Sequence, residues 1–174
     1  MSEDMDDFAA EVADQIESFL IALGAVARGD FPDGTLSILL LEVSQLMLAG
    51  ARLGAIVDVL PDDYFEPDAG MDPDADGLRE RLAVLLAPID EYVEVFDPYD
   101  PAPEVLPSRL SDDLSDVAAA LVHGLQHFGS GRRIEALWWW QYSYLANWGS
   151  TAGSALRALH SAVAHTRLDV DAAT

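Results

Sequence analysis

Between Phe8 and Val26 the apolar residues Phe8, Val12, Ile16, Phe19, Leu20, Leu23 and Val26 recur at intervals of three and four, the spacing of one face of an amphipathic α-helix. Glu3, Asp4, Asp6 and Asp7 precede that stripe, where negative charge complements the helix dipole. Arg28-Gly29 ends the pattern, and the segment from Asp30 to Gly34 has turn chemistry. Thr35 to Val57 is the most apolar stretch and predicts a second helix. Its length raises the question of a membrane span, but Glu42, Gln45 and Arg52 fall with Ala49 on one narrow stripe, the signature of a central helix with one wet edge. Gly50 and Gly54, four apart, form a small-residue patch that another helix can approach closely.

Residues 58–77 break the periodicity with acids, prolines and glycines and predict a solvated connector between the second and third helices. Helical spacing resumes at Leu78–Leu86, with Asp76 the expected N-cap and Pro88 the terminator. After it the pattern predicts a short helical turn through Phe96 and an irregular proline-rich stretch over 97–108. Ser111 with Asp112 and Asp113 reads as a helix start; Leu114, Val117, Leu121, Leu125 and Phe128 supply its buried stripe. After the break at Gly129-Ser130-Gly131, a last helical region runs from Arg132 to Arg167, as one helix or as two divided near Gly149-Ser150. The expectation is one all-α domain over 1–174, a compact bundle of four to six helices, with frayed termini at 1–6 and 168–174.

Charge narrows the function classes. The 174 residues hold 31 acids against 9 bases, a net charge of −22, which repels nucleic-acid phosphates and anionic membrane surfaces alike. With no cysteine there is no disulfide framework and no thiolate chemistry. A 51% hydrophobic content separates the chain from disordered acidic tails. Every basic residue is arginine and Asn147 is the single asparagine, a bias that fits a GC-rich genome. No cationic-then-apolar leader opens the chain, so a cytoplasmic location is expected.

Asp72-x-Asp74-x-Asp76-Gly77 opens like a calcium loop, but the twelfth position, where a bidentate glutamate is needed, is Ala83. His123 and His127 stand one helical turn apart, with Asp116 on the same face as a third metal ligand or supporting partner. The zinc-protease and di-iron signatures that would complete such a site are absent from the sequence. No nucleophile elbow or phosphate loop occurs, and the acid pairs Asp112/Asp113 and Asp62/Asp63 fall in caps and linkers, where charge is well solvated and carboxylates are seldom tuned for acid catalysis. No cofactor is expected, a divalent metal at the histidine pair being the exception.

The strongest local signal is the aromatic run from Glu135 to Trp148. Trp138 and Tyr142 share one face, Trp140, Tyr144 and Trp148 another, and Trp139 lies between. Consecutive positions turn by about 100°, so three adjacent tryptophans cannot all face one core. This helix therefore lies either in the bundle centre or at an interface: its aromatics read first as core and helix-packing surface, and alternatively as an aromatic-lined groove, with Trp138, Trp139, Trp140, Gln141, Tyr144, Asn147 and Trp148 as candidate ligand or partner contacts. Gly124, Ala136, Trp140 and Ser143 also stand at the intervals of a tetratricopeptide hairpin, without a repeat. Around the run, Arg132, Arg133, Arg157 and Arg167 face the single acid Glu135, so the C-terminal region is locally basic in an acidic molecule.

The segments LLLEVSQLMLAGARLGA, LRERLAVLLAPIDEY and EALWWWQYSYLANWGSTA resemble a bacterial family, domain of unknown function 5063, over roughly residues 8–167. The resemblance implies small acidic helical proteins without an assigned activity and carries over no catalytic residue. The function expected from the residues is a non-enzymatic protein-interaction domain, binding a partner or itself through the tryptophan helix. A metal- or small-molecule-binding bundle around His123 and His127, and an acidic mimic of DNA, are the alternatives.

Overall fold

The computed structural model describes residues 2–61 and 66–168. Six α-helices and a β-hairpin follow in the order α1 (Ser2–Ala27), α2 (Thr35–Ala55), α3 (Ala75–Leu85), β1 (Glu91–Val95), β2 (Val105–Arg109), α4 (Leu110–Gly129), α5 (Arg133–Ser143) and α6 (Gly149–Leu168), with a π-helical turn, Tyr144–Trp148, joining α5 to α6. The architecture is the all-α bundle that the periodicity predicts. α4 packs on α3, α5 and α6, while α2 packs on α1 and α6.

The α1 stripe is the core face: Val12, Ile16, Phe19, Leu23 and Val26 are all buried. α1 stops where Gly29 takes a φ of 78°, a left-handed conformation open to glycine. Residues 2–6 are already helical, contrary to the expected fraying, while 169–174 and the pair Asp62/Asp63 lie outside the described residues. α2 is long and apolar enough to cross a membrane; in the fold it buries Leu39, Val43, Leu46, Ala49, Gly50 and Leu53. Its exposed side is broader than the one narrow stripe expected: Ala49 joins the core, but Leu41 and Leu48 are exposed beside Gln45 and Arg52, and Arg52 pairs with Glu11 on α1 at 2.6 Å.

The small-residue patch on α2 receives the π turn. A Cβ on Gly50 would collide with the rings of Tyr144 and Trp148, and one on Gly54 would stand 3.1 Å from Tyr144. Gly149 meets the same constraint from the other side, because a Cβ there would lie 2.5 Å from the Tyr144 carbonyl oxygen. The last helical region is thus divided by a π turn immediately before Gly149, and π turns of this kind insert a residue without ending the helix.

Three further expectations need correction. The N-cap of α3 is Asp74, whose side chain accepts from the Gly77 amide at 3.3 Å; Asp76 sits inside the first turn. The stretch read as a helical turn and irregular chain forms an antiparallel hairpin, in which Glu91 pairs with Arg109 and Val95 with Val105. Buried Asp90 fixes it to the bundle. Its backbone carbonyl accepts from the Leu110 amide, its carboxylate accepts from the Ser111 amide (2.8 Å) and hydroxyl (2.9 Å), and Arg109 bridges to it at 3.1 Å. A residue distant in sequence therefore caps α4, the role the sequence assigns to Ser111 itself.

Candidate functional site

Helical spacing puts His123 and His127 on one face of α4, and the connector lays Glu66 across them. Glu66 Oε1 lies 2.5 Å from His123 Nε2 and 3.0 Å from His127 Nε2. The three ligand atoms all fall within 4.8 Å of one another. His127 is buried at 1% side-chain exposure, His123 is half-buried, and Glu66 remains one-third exposed. Burial opposes the charged form of Glu66, but the hydrogen bonds and attraction of the two imidazoles outweigh it and hold the carboxyl below its ordinary range. Trp139 packs on His123 with ring centroids 4.1 Å apart, and its indole N–H is engaged by the Ala120 carbonyl at 2.8 Å.

Asp116, the acid expected to join the histidines, is not in this group. Arg79 on α3 holds it at 2.9 Å and also pairs with Asp76 and Asp112. Spacing along one helix favoured Asp116; Glu66 lies 57 residues before His123 on a segment without periodicity, so only the path of the connector brings it in. Gln126 fastens the same connector by donating to the Met71 carbonyl at 2.7 Å.

The tryptophan run is mostly interior. Trp140 and Trp148 are fully buried, Trp138 and Trp139 half-buried. Trp140 lies against Gly124, where any Cβ would collide with the indole, and donates to the Leu121 carbonyl at 3.2 Å, so the predicted hairpin contact between α4 and α5 is present. Gln141, expected to meet a ligand, is buried. It accepts from the Val59 amide at 2.7 Å and donates to the carbonyls of Leu53 (2.9 Å) and Val57 (3.2 Å), closing the C-terminal end of α2. Tyr144 fills the notch between Gly50 and Gly54. Of this region, Tyr142, Leu145 and Asn147 are exposed, with Tyr142 stacked on Trp138.

A concavity of about 700 Å³ lies between the hairpin and α6. One wall is β1 and its continuation, with Val93, Val95, Phe96 and Pro98; the other is the small-residue face of α6, with Gly153, Ser154, Ala158 and Arg157. Residues of β1 line it and none of β2 does. Along β1 exposure alternates: Tyr92 and Glu94 are half-buried, while Glu91, Val93 and Val95 are exposed. The strand thus shows its valines to solvent, and Val93 and Phe96 remain more than two-thirds exposed.

Tyr92 anchors this wall by donating its hydroxyl to Asp113 at 2.5 Å, while Ser108 donates to the same carboxylate at 3.3 Å. Asp113 is buried, not the solvated cap residue the sequence predicts. Burial raises its pKa to about 6, reinforced by the charges of Glu94 and Asp112 and opposed by the two hydroxyl hydrogen bonds. Burial and the adjoining carboxylate likewise push the Tyr92 phenol above its usual range.

Comparison with known proteins agrees with this architecture. The crystal structure of protein BF1032 from Bacteroides fragilis, a structural genomics target, superposes with a TM-score of 0.65 at 20% identity, covering 91% of this chain and 89% of that one; at that identity the likeness shows a shared fold alone. No curated protein matches the chain. The family model for a domain of unknown function, DUF5063, matches residues 3–165. Spanning nearly the whole bundle, hairpin included, that match shows that the chain belongs to the DUF5063 family.

Proposed function

We propose that the protein is a docking domain that receives an extended, basic segment of another protein in the groove between β1 and α6. The observation that carries this reading is the open edge of β1. In a two-stranded sheet each strand pairs on one side only, and the groove runs along β1 without touching β2. An unpaired strand edge presents backbone N–H and C=O groups to any chain that can lie alongside. β2 carries Pro107 at its centre, a residue that blocks strand addition; β1, Glu-Tyr-Val-Glu-Val, has no proline or lysine.

Charge selects the occupant. From Glu91 to Glu104 the hairpin and its loop hold Glu91, Glu94, Asp97, Asp100 and Glu104 and no basic residue; of these acids Glu94 lines the groove itself, opposite Arg157 on α6, and the others lie along its approach on the hairpin side. A second copy would bring another net −22 against this surface, whereas lysines or arginines alternating with apolar residues would match both the acids and the exposed valines. The interaction surface expected on the tryptophan helix is accordingly proposed on the helix that continues it. The arrangement favours a protein partner over nucleic acid or an anionic membrane, which the same acids repel.

The test uses a fluorescent peptide of alternating lysine and valine, a version with a central proline, and a version with glutamate replacing lysine. Saturable binding to the wild type is expected for the first peptide alone. Ser154→Trp fills the groove from α6 without changing charge and should weaken binding at least about tenfold, a loss of about 1.4 kcal/mol. Equal binding of the proline peptide, or undiminished binding to Ser154→Trp, would reduce the interaction to nonspecific charge attraction and overturn the reading.

A further inference from the structure

Two imidazoles and one carboxylate converge on a point beside α4 that the docking groove does not include. We propose that Glu66, His123 and His127 form a binding site for a divalent transition-metal ion of the zinc class, with the connector supplying the acidic ligand.

A hydrogen-bonded latch that pins the connector to α4 is the competing account, and it needs one imidazole. Here both rings aim the same atom, Nε2, at the same oxygen, Glu66 Oε1, so three possible ligand atoms converge within 4.8 Å of one another, and a small outward shift of Glu66 would admit an ion between them. The far nitrogen of His127, Nδ1, is buried without a hydrogen-bond partner. The deeply buried ring therefore has its polar contact only on the side facing Glu66. Trp139, itself fixed to Ala120, lies against the His123 ring.

The donor set selects the class of ion. Two imidazole nitrogens and one carboxylate oxygen suit zinc, cobalt, iron or manganese, whereas calcium and magnesium call for oxygen-only shells. Metal–ligand bonds of about 2.0–2.1 Å in a tetrahedral arrangement separate neighbouring donors by about 3.3 Å. The Glu66 oxygen would have to withdraw from His123 Nε2 by somewhat under about 1 Å, a motion available to a side chain on a connector and not to one on α4. Glu66 is the most exposed of the three and His123 the next, so their side offers the ion its route in. Three protein ligands leave at least one position for water or a ligand atom.

The experiment takes untagged full-length protein stripped with a chelator and adds Co²⁺. The site predicts uptake of one equivalent with a visible ligand-field spectrum, quenching of tryptophan fluorescence through Trp139, and displacement by Zn²⁺ with recovery of the fluorescence. Glu66→Gln and His123→Gln, at half-buried or exposed positions, should keep the far-ultraviolet circular dichroism of the wild type and bind Co²⁺ more than about tenfold more weakly. His127→Gln is not needed for the decision, because its burial ties it to the core. Absence of stoichiometric uptake, or uptake unaltered in both variants, would reduce the cluster to a latch and overturn the site. Neither result bears on peptide binding, which depends on separate residues.

Discussion

Asp113 shows how far one carboxylate can depart from what its neighbours in sequence suggest. Following Ser111 and Asp112 it looks like a solvated acid of a helix start, yet the hairpin closes over it, and Tyr92 and Ser108 turn their hydroxyls to it. Its pKa rises from 3.8 to about 6. A carboxyl whose pKa is raised by folding stabilises the fold fully below its unfolded value, and the contribution is lost as pH rises through the folded one. Wild-type stability relative to Asp113→Asn should therefore fall by about 1–3 kcal/mol between about pH 4 and pH 6 and level off above that. Urea unfolding of both proteins across that range checks it; parallel curves would mean that the carboxyl titrates as if exposed.

The helices were legible in the sequence because each carries a stripe at a period of three to four, and the stripes on α1 and α4 are the buried faces. The hairpin was hidden for two reasons. Its strands flank a loop rich in proline and aspartate, and the valines of β1 point outward while Tyr92 and Glu94 turn inward, which inverts the contrast that marks a half-buried strand. Asp90 was equally invisible, since its partners on α4 lie 21 residues away in sequence. Replacing Asp90 with alanine removes the cap from α4 and strands the buried amide and hydroxyl of Ser111. The expected cost is about 1–3 kcal/mol, with faster amide exchange in both strands, measurable by denaturant titration and hydrogen exchange. Stability within a few tenths of a kcal/mol of the wild type would show that water takes over the role of Asp90.

Across the whole molecule the two histidines share one face of α4 as their spacing implies, with Glu66 instead of Asp116 beside them, and most of the candidate aromatic surface is turned inward. Both differences arise from long-range packing. The connector crosses α4 and exchanges Asp116 for Glu66, and the notch at Gly50 and Gly54 absorbs Tyr144 and Trp148. What remains outside is an acidic hairpin facing a small-residue helix. With a net charge of −22, association with a basic segment should weaken steeply as salt shortens the screening length toward about 8 Å at physiological ionic strength. The claim that the partner joins as a strand is tested most directly by amide hydrogen exchange on the complex with the lysine–valine peptide. Slowed exchange is expected at backbone amides of β1, among residues 91–95, with β2 unchanged. Protection confined to other surfaces, or none in β1 when the peptide is saturating, would contradict it.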